Sequence, residues 1–186
     1  MGDSIDDWAA QVAAQYLEPL GNRWKHVQAV AQVACALQPA FSPSDGAYLL
    51  AAAYLHDVGY APELVVTGFH PLDGAIYLRS LGMERLACLV AHHSGACFEA
   101  ELRGLAKELA AYPRERSAVA DALTYCDQMC DAIGRRVTFR ERQSDIHRRY
   151  GSTHIVSQAS TRAYPSLTLS VARTVRRLKR YGISVS

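Results

Sequence analysis

The sequence predicts an all-α fold, a single domain over residues 1–186 built as a bundle of about eight helices. Three observations predict it. Apolar residues recur every three or four positions along nearly the whole chain. Proline and glycine punctuate those stretches where helices begin and end. No stretch shows the strict alternation of a half-buried strand.

Taken in order, the segment before Gly21 reads as one amphipathic helix. Between Trp24 and Leu37, the residues Val27, Val30, Ala34 and Leu37 fall at i, i+3, i+7 and i+10, with Gly21-Asn22 before and Pro39 after. Pro43-Ser44-Asp45 opens a helix that runs through Leu49, Leu50 and Ala53 to His56-Asp57, where Gly59 supplies a stop. Residues 58–70 read as a loop with one short apolar run, Leu64-Val65-Val66. Pro71 stands at a first helical position, with Asp73 in the first turn and Gly82 at the exit. Further helices are expected over 83–93, closed by Ser94-Gly95, and over 113–127. Thr138 and Glu141 make a capping box for a helix that Gly151 ends. Pro165 is read as the start of a basic C-terminal helix over 165–181, where Val171, Val175 and Leu178 oppose Arg173, Arg176, Arg177 and Arg180.

Composition removes several function classes. With 186 residues, 49% of them hydrophobic and 20% charged, the chain can bury a core of its own and is neither disordered nor fibrous. The longest apolar run, Ala47 to Leu55, is too short to cross a bilayer, so no membrane partner is expected. The start is acidic and lacks an apolar signal core, and Asp6 stands where a myristoylation signal wants Ser or Thr. Five cysteines without regular pairing read as free thiols, and a reducing cytoplasm is the expected location. Charge is uneven: residues 1–134 carry a net −8 and residues 135–186 a net +10, and arginine outnumbers lysine 17 to 3. Such a tail either draws in a phosphorylated substrate or is a solvated helix face.

The histidines carry the chemistry. His26 shares a helical face with Val30, Val33 and Leu37; His56 stands seven residues after Leu49 and is followed by Asp57. Imidazoles and carboxylates on apolar faces are costly unless paired or bound to metal. Neighbouring helical positions differ by about 100°, so His56 and Asp57 can both reach one cavity at the end of their helix. His70 precedes Pro71 and is therefore extended at a helix entrance. His92 and His93 stand at a helix end before Gly95. Imidazole and carboxylate donors together suit Fe, Mn, Zn and similar divalent ions.

The order His26, then Tyr54-Leu55-His56-Asp57-Val58-Gly59, then a distant Asp, resembles the HD superfamily of metal-dependent phosphohydrolases over residues 20–151. The stretches His70-Pro71-Leu72-Asp73-Gly74-Ala75 and Val90-Ala91-His92-His93-Ser94-Gly95 are similar to the subset with two extra histidines, which includes the HD-type diadenosine tetraphosphate hydrolases of bacteria. The resemblance implies a first cation held by His26, His56, Asp57 and a late Asp, with Asp57 bridging to a second cation held by His70 and His92. Asp127 is the expected late ligand and Asp121 its rival; Asp131, one turn on, is a supporting residue or a solvated neighbour. His93 either replaces His92 or works on substrate, so Asp57 and His93 are the residues given catalytic roles. Arg23 and Asp73 are weaker candidates for substrate or supporting contacts, their plain readings being a surface guanidinium and a helix-start carboxylate. His147 and His154 read as surface and structural residues, and Cys88, Cys97, Cys126 and Cys130 as small hydrophobes.

The expected cofactors are one or two divalent ions, Fe or Mn first, with Ni, Co, Zn or Mg as alternatives. The expected reaction is hydrolysis of a phosphate ester or anhydride of a nucleotide or similar small molecule by a hydroxide that the cations generate. The same donors resemble the HD-type mixed-valence diiron oxygenases, and a non-catalytic binding or regulatory module is a third reading. Nucleic acid is not expected as partner, and the sequence leaves the oligomeric state open, a homodimer among the options.

Overall fold

The computed structural model describes residues 4–184, so residues 1–3 of the acidic start and the last two positions lie outside it. The described residues form ten α-helices and no strand: α1 Ile5–Leu17, α2 Asn22–Leu37, α3 Pro43–Leu55, α4 His70–Ser80, α5 Glu84–Ala91, α6 Ala96–Arg103, α7 Ala106–Ala110, α8 Ala118–Gln128, α9 Phe139–Tyr150 and α10 Ile155–Arg180. The helices start where polar side chains can take up free backbone N–H groups. Ser4, Ser42 and Ser117 each accept the backbone N–H three residues on. At α9 the expected capping box is present: Glu141 N donates to Thr138 Oγ1 at 3.2 Å, and Thr138 N to Glu141 Oε2 at 2.7 Å.

Helix α3 is the centre. Its Ala51, Ala52 and Ala53 are wholly buried, and their small side chains let α1, α2, α5 and α8 all pack against it. Its C-terminal end therefore delivers His56 and Asp57 into the interior. The next turn, Val58–Tyr60, lies directly on the first turn of α4. A Cβ on Gly59 would stand 2.1 Å from the His70 carbonyl oxygen and 2.5 Å from Gly74 N, so no other residue fits there. Gly95 performs a similar service on the far side, where φ is +75° and a Cβ would meet Ala163 Cβ of α10 at 2.8 Å.

Five local readings change. His70, expected to be extended ahead of Pro71, is itself the first residue of α4, and Phe69 is the extended cap. The segment 58–70 is not plain loop but holds two 3-10 turns, Val58–Tyr60 and Pro62–Leu64. Helix α8 begins at Ala118, because Ser117 caps it, and not at 113. Two helices, α6 and α7, appear where the pattern marks none; α6 opens behind the left-handed pair Ser94 and Gly95, which no periodicity announces. The last helix begins at Ile155, capped by His154, ten residues before the expected start. Pro165 is exposed, on the side of α10 where a carbonyl left without its helical bond faces solvent, so the helix continues through it. The opposing stripe of α10 is largely as expected: Leu178 is buried, Val171 and Val175 pack against the core, and Arg173, Arg176 and Arg180 are exposed, whereas Arg177 is half-buried and donates to the Ala40 carbonyl at 2.9 Å. No helix among the described residues is long and apolar enough to cross a membrane.

Candidate metal centre

Three histidines are buried with their rings fixed by backbone carbonyls. His26 Nδ1 lies 2.8 Å from the Asp131 carbonyl, His56 Nδ1 2.8 Å from Ala53, and His93 Nδ1 2.6 Å from Val90. A carbonyl only accepts, so Nδ1 carries the proton in each ring and Nε2 presents a lone pair in the neutral imidazole. For His56 and His93 the acceptor is the carbonyl three residues back, at the unsatisfied C-terminal end of α3 and α5. The helix ends themselves thus orient two of the rings.

All three Nε2 atoms converge on Asp57. One carboxylate oxygen, Oδ2, faces His56 Nε2 at 3.4 Å and His26 Nε2 at 3.7 Å. The other, Oδ1, faces His70 Nε2 at 3.2 Å and His93 Nε2 at 3.9 Å. Asp127 joins the first side, with Oδ1 at 3.1 Å from His26 Nε2. His26 and His56 bring their Nε2 atoms to 3.3 Å of one another. Two lone pairs at that separation repel unless a cation or a proton lies between them. The groups His26–His56–Asp57 and Asp57–His70–His93 each gather their donor atoms within 4.8 Å, so each could hold a cation, and the two groups share one carboxylate. The donors fit a divalent ion: imidazole nitrogens, carboxylates held ionised, and second-layer hydrogen bonds already made.

The electrostatics favour the ionised carboxylates. Burial pushes the Asp57 carboxyl up, but Arg23, His56 and His70 outweigh it and hold it well below the usual range. Asp127 behaves alike: burial opposes, while the His26 hydrogen bond and the charge of Arg142 win. Burial, with His56 and His70 nearby, pushes His93 down to about 4, so it is a neutral donor at pH 7.

The structure separates the sequence candidates. Asp127 is in the cluster; Asp121 lies elsewhere, accepting from Ser170 Oγ of α10 at 2.7 Å. His92, expected as a ligand, is turned away and its Nε2 donates to the Tyr112 carbonyl at 2.6 Å, while His93 takes the inward position. The cause is that α5 ends at Ala91 and His92 leaves helical geometry, with φ −112° and ψ 9°, so the residue after it points inward. Asp131 supports the site through its main chain, and its carboxylate accepts from the backbone of Ile133 and Arg135. Asp73 is structural: its buried carboxylate accepts from Thr67 N, Thr67 Oγ1 and Gly68 N and pins the loop before α4. Arg23 is at the site, 2.6 Å from Asp57 Oδ2 and 3.9 Å over the Tyr60 ring, which in turn stacks on His70. His147 and His154 do not join the cluster, His154 being the cap of α10. The five cysteines are free thiols; Cys88, Cys126 and Cys130 are buried as expected, whereas Cys97 is only half-buried.

Sequence reasoning misses the support on Asp127. Ser94 donates to its Oδ2, as does Gln128 Nε2 at 3.2 Å; Gln143 Nε2 donates to Gln128 Oε1 at 2.7 Å, and Ser160 Oγ to Gln143 Oε1 at 2.6 Å. These are common residue types at no diagnostic spacing, and the chain of bonds crosses from α8 to α9 and α10. The cluster opens into a cavity of about 120 Å³ between these elements. The basic face of α10 lines a different groove of about 900 Å³, with Arg114, Arg116, Arg173, Arg176, Arg177 and Arg180. His93 lines both the groove and the cavity.

Compared with known proteins, the profile of the HD domain family matches residues 23–130, more than half of the chain. No curated protein and no solved structure matches.

Proposed function

The chain belongs to the HD domain family, and from that premise we propose that it is a metal-dependent phosphohydrolase acting on an ester or anhydride of a small phosphorylated molecule such as a nucleotide. One observation carries the reading: three buried imidazoles, each with Nδ1–H tied to a carbonyl, aim Nε2 at the two oxygens of one carboxylate. His26, His56, Asp57 and Asp127 would hold one divalent ion, and Asp57, His70 and His93 a second. Such a pair lowers the pKa of water and offsets charge on phosphoryl oxygens.

The rest is the work of this chain's own residues. The carbonyls of Ala53, Val90 and Asp131 keep the rings in one tautomer and one orientation, which limits the rearrangement needed on binding. Ser94 and Gln128 hold Asp127 by its Oδ2, leaving Oδ1 toward His26. Arg23, flat against Tyr60, stands at the cavity wall with its guanidinium beside Asp57, placed to meet a phosphoryl oxygen. The nonpolar walls formed by Ile146, Val156, Ala159 and Ala163 reduce water access and strengthen every charge interaction inside.

The test is metal analysis and phosphate release together. Protein loaded with Mn²⁺, Fe²⁺ or Co²⁺ is expected to release phosphate from members of a panel of phosphomonoesters, nucleotides and dinucleoside polyphosphates. His56→Ala is expected to lose both metal and turnover. Full metal loading with no release from any substrate would sink the proposal, and substrate-dependent oxygen uptake would transfer it to the oxygenase class.

A further inference from the structure

Arg142 is a side chain of the cavity whose bonding is incomplete. It lies on α9, outside the segment that the family profile covers, and is 7% exposed. Its Nη2 reaches Asp127 Oδ1 only at 3.4 Å, while Nε and Nη1 are buried with no hydrogen-bond partner among the described residues. A guanidinium is always charged, carries five N–H donors, and is expensive to bury unpaired. Polar side chains that line the same cavity are committed elsewhere, Gln143 to Gln128 and Ser160, and Gln128 to Asp127. No described residue bonds these two donors, and Arg142 is one of the side chains that line the cavity together with Asp57, Asp127, His70 and His93.

We propose that Arg142 receives the oxygens of a terminal, dianionic phosphoryl group, so that the substrate is a phosphomonoester whose organic part leaves past Tyr60, Arg149 and Tyr150 at the rim. This rests on the phosphohydrolase reading and narrows it. Size is the first reason. A cavity of about 120 Å³ is well below the roughly 300–1,000 Å³ of pockets that enclose a drug-sized ligand. It admits a phosphoryl group and leaves a base or sugar outside. Charge is the second reason. Of the charged side chains lining the cavity, Arg23, Arg142 and Arg149 balance Asp57, Asp127 and Glu99, so any bound divalent ion leaves a net positive pocket that a dianion matches better than a monoanion. Sterics are the third. A diester has two free phosphoryl oxygens and must fit a second substituent among Ala132, Ile146, Val156 and Ala159.

The probe is inorganic phosphate, titrated calorimetrically into the metal-loaded full chain with metal content measured on the same samples; dimethyl phosphate is the comparison. Wild type is expected to bind inorganic phosphate and to bind dimethyl phosphate at least tenfold more weakly. Arg142→Gln is expected to keep its metal and melt no lower than wild type, since it removes a buried charge without a full set of partners, yet to bind phosphate roughly tenfold or more less tightly. Arg142→Lys, which keeps the charge, is expected to recover part of the binding and covers the case where the glutamine variant fails to fold. Unchanged phosphate affinity in Arg142→Gln, or equal binding of dimethyl phosphate by wild type, overturns the proposal. So does loss of metal from Arg142→Gln, which would make the arginine a prop for Asp127. No turnover enters these measurements. A chain that binds phosphate through Arg142 but hydrolyses nothing refutes the proposed reaction alone; a hydrolase whose Arg142→Gln variant binds phosphate normally refutes this inference alone.

Discussion

Replacing Gly59 with alanine should damage stability and the site together. The added Cβ would sit 2.1 Å from the His70 carbonyl oxygen, 2.5 Å from Gly74 N and 3.0 Å from the His70 carbonyl carbon. All three are backbone atoms of the first turn of α4, so no side chain can swing aside. Real Cβ atoms essentially never come within 3.0 Å, and the helix must retreat by about 1 Å to reach ordinary contact. Overpacking of this kind costs about 1–3 kcal/mol. A rigid backbone-to-backbone clash belongs at the upper end, about 3 kcal/mol. For a chain of this length each kcal/mol moves Tm by roughly 2–4 °C, so a loss of about 6–12 °C is expected. The same retreat carries His70 away from Asp57, where Nε2 and Oδ1 are now 3.2 Å apart. Any rise in wild-type Tm on adding a divalent ion, about 2.7 kcal/mol at a hundredfold excess over Kd, should therefore shrink in the variant. The assay is thermal unfolding by circular dichroism with and without Mn²⁺. Gly46→Ala is the control: its Cβ would meet Gln38 Cβ and Cγ at an ordinary 3.5 Å inside α3, and it should melt at or above the wild type. If Gly59→Ala melts within a degree of wild type, the close-approach argument is wrong.

The other predictions are more local. Glu115 accepts from Arg85 at 2.9 and 3.0 Å and from Ser117 at 2.6 Å; burial pushes its carboxyl up, but these bonds prevail and hold it below its ordinary value. Its stabilisation is thus present above the ordinary carboxylate range and lost as pH falls through the lowered value. Glu115→Gln should cost about 1 kcal/mol at pH 7, with the gap to wild type closing in acid; a gap independent of pH would refute the assignment. Asp73→Asn should release the Thr67-Gly68 turn at a cost of about 1.5–3 kcal/mol, seen as faster proteolysis within residues 61–69, with phosphate binding little affected if its role is structural. Burial pushes the Cys126 thiol well above its usual range and Cys130 to about 11. A disulfide reagent at pH 8 should therefore modify exposed Cys35 in the folded chain and reach Cys126 and Cys130 only on unfolding. Mass-spectrometric detection of either buried thiol as an early adduct would contradict this.

The residues say a good deal without the fold. Helical spacing, the Thr138–Glu141 box, and the stops at Gly21, Gly82 and Gly151 determine an all-helical chain, because each is decided by contacts within a turn or two. His26 and His56-Asp57 on apolar helices announce a buried polar cluster, since such groups are not buried for nothing. Periodicity stops where a helix stops, and there the sequence falls silent. Whether His92 or His93 turns inward depends on the geometry just past Ala91, and that geometry is set by α5 packing on α4 and by the carbonyl of Tyr112 from beyond α7. Asp127 prevails over Asp121 because the face of α8 opposite α10 is the one that meets α2 and α3. Arg142, Gln143 and Ser160 become one wall only when α9 and α10 fold back over the family core, bringing together residues far apart in the chain. Local chemistry chooses the donors, but only three-dimensional packing chooses which lone pairs meet.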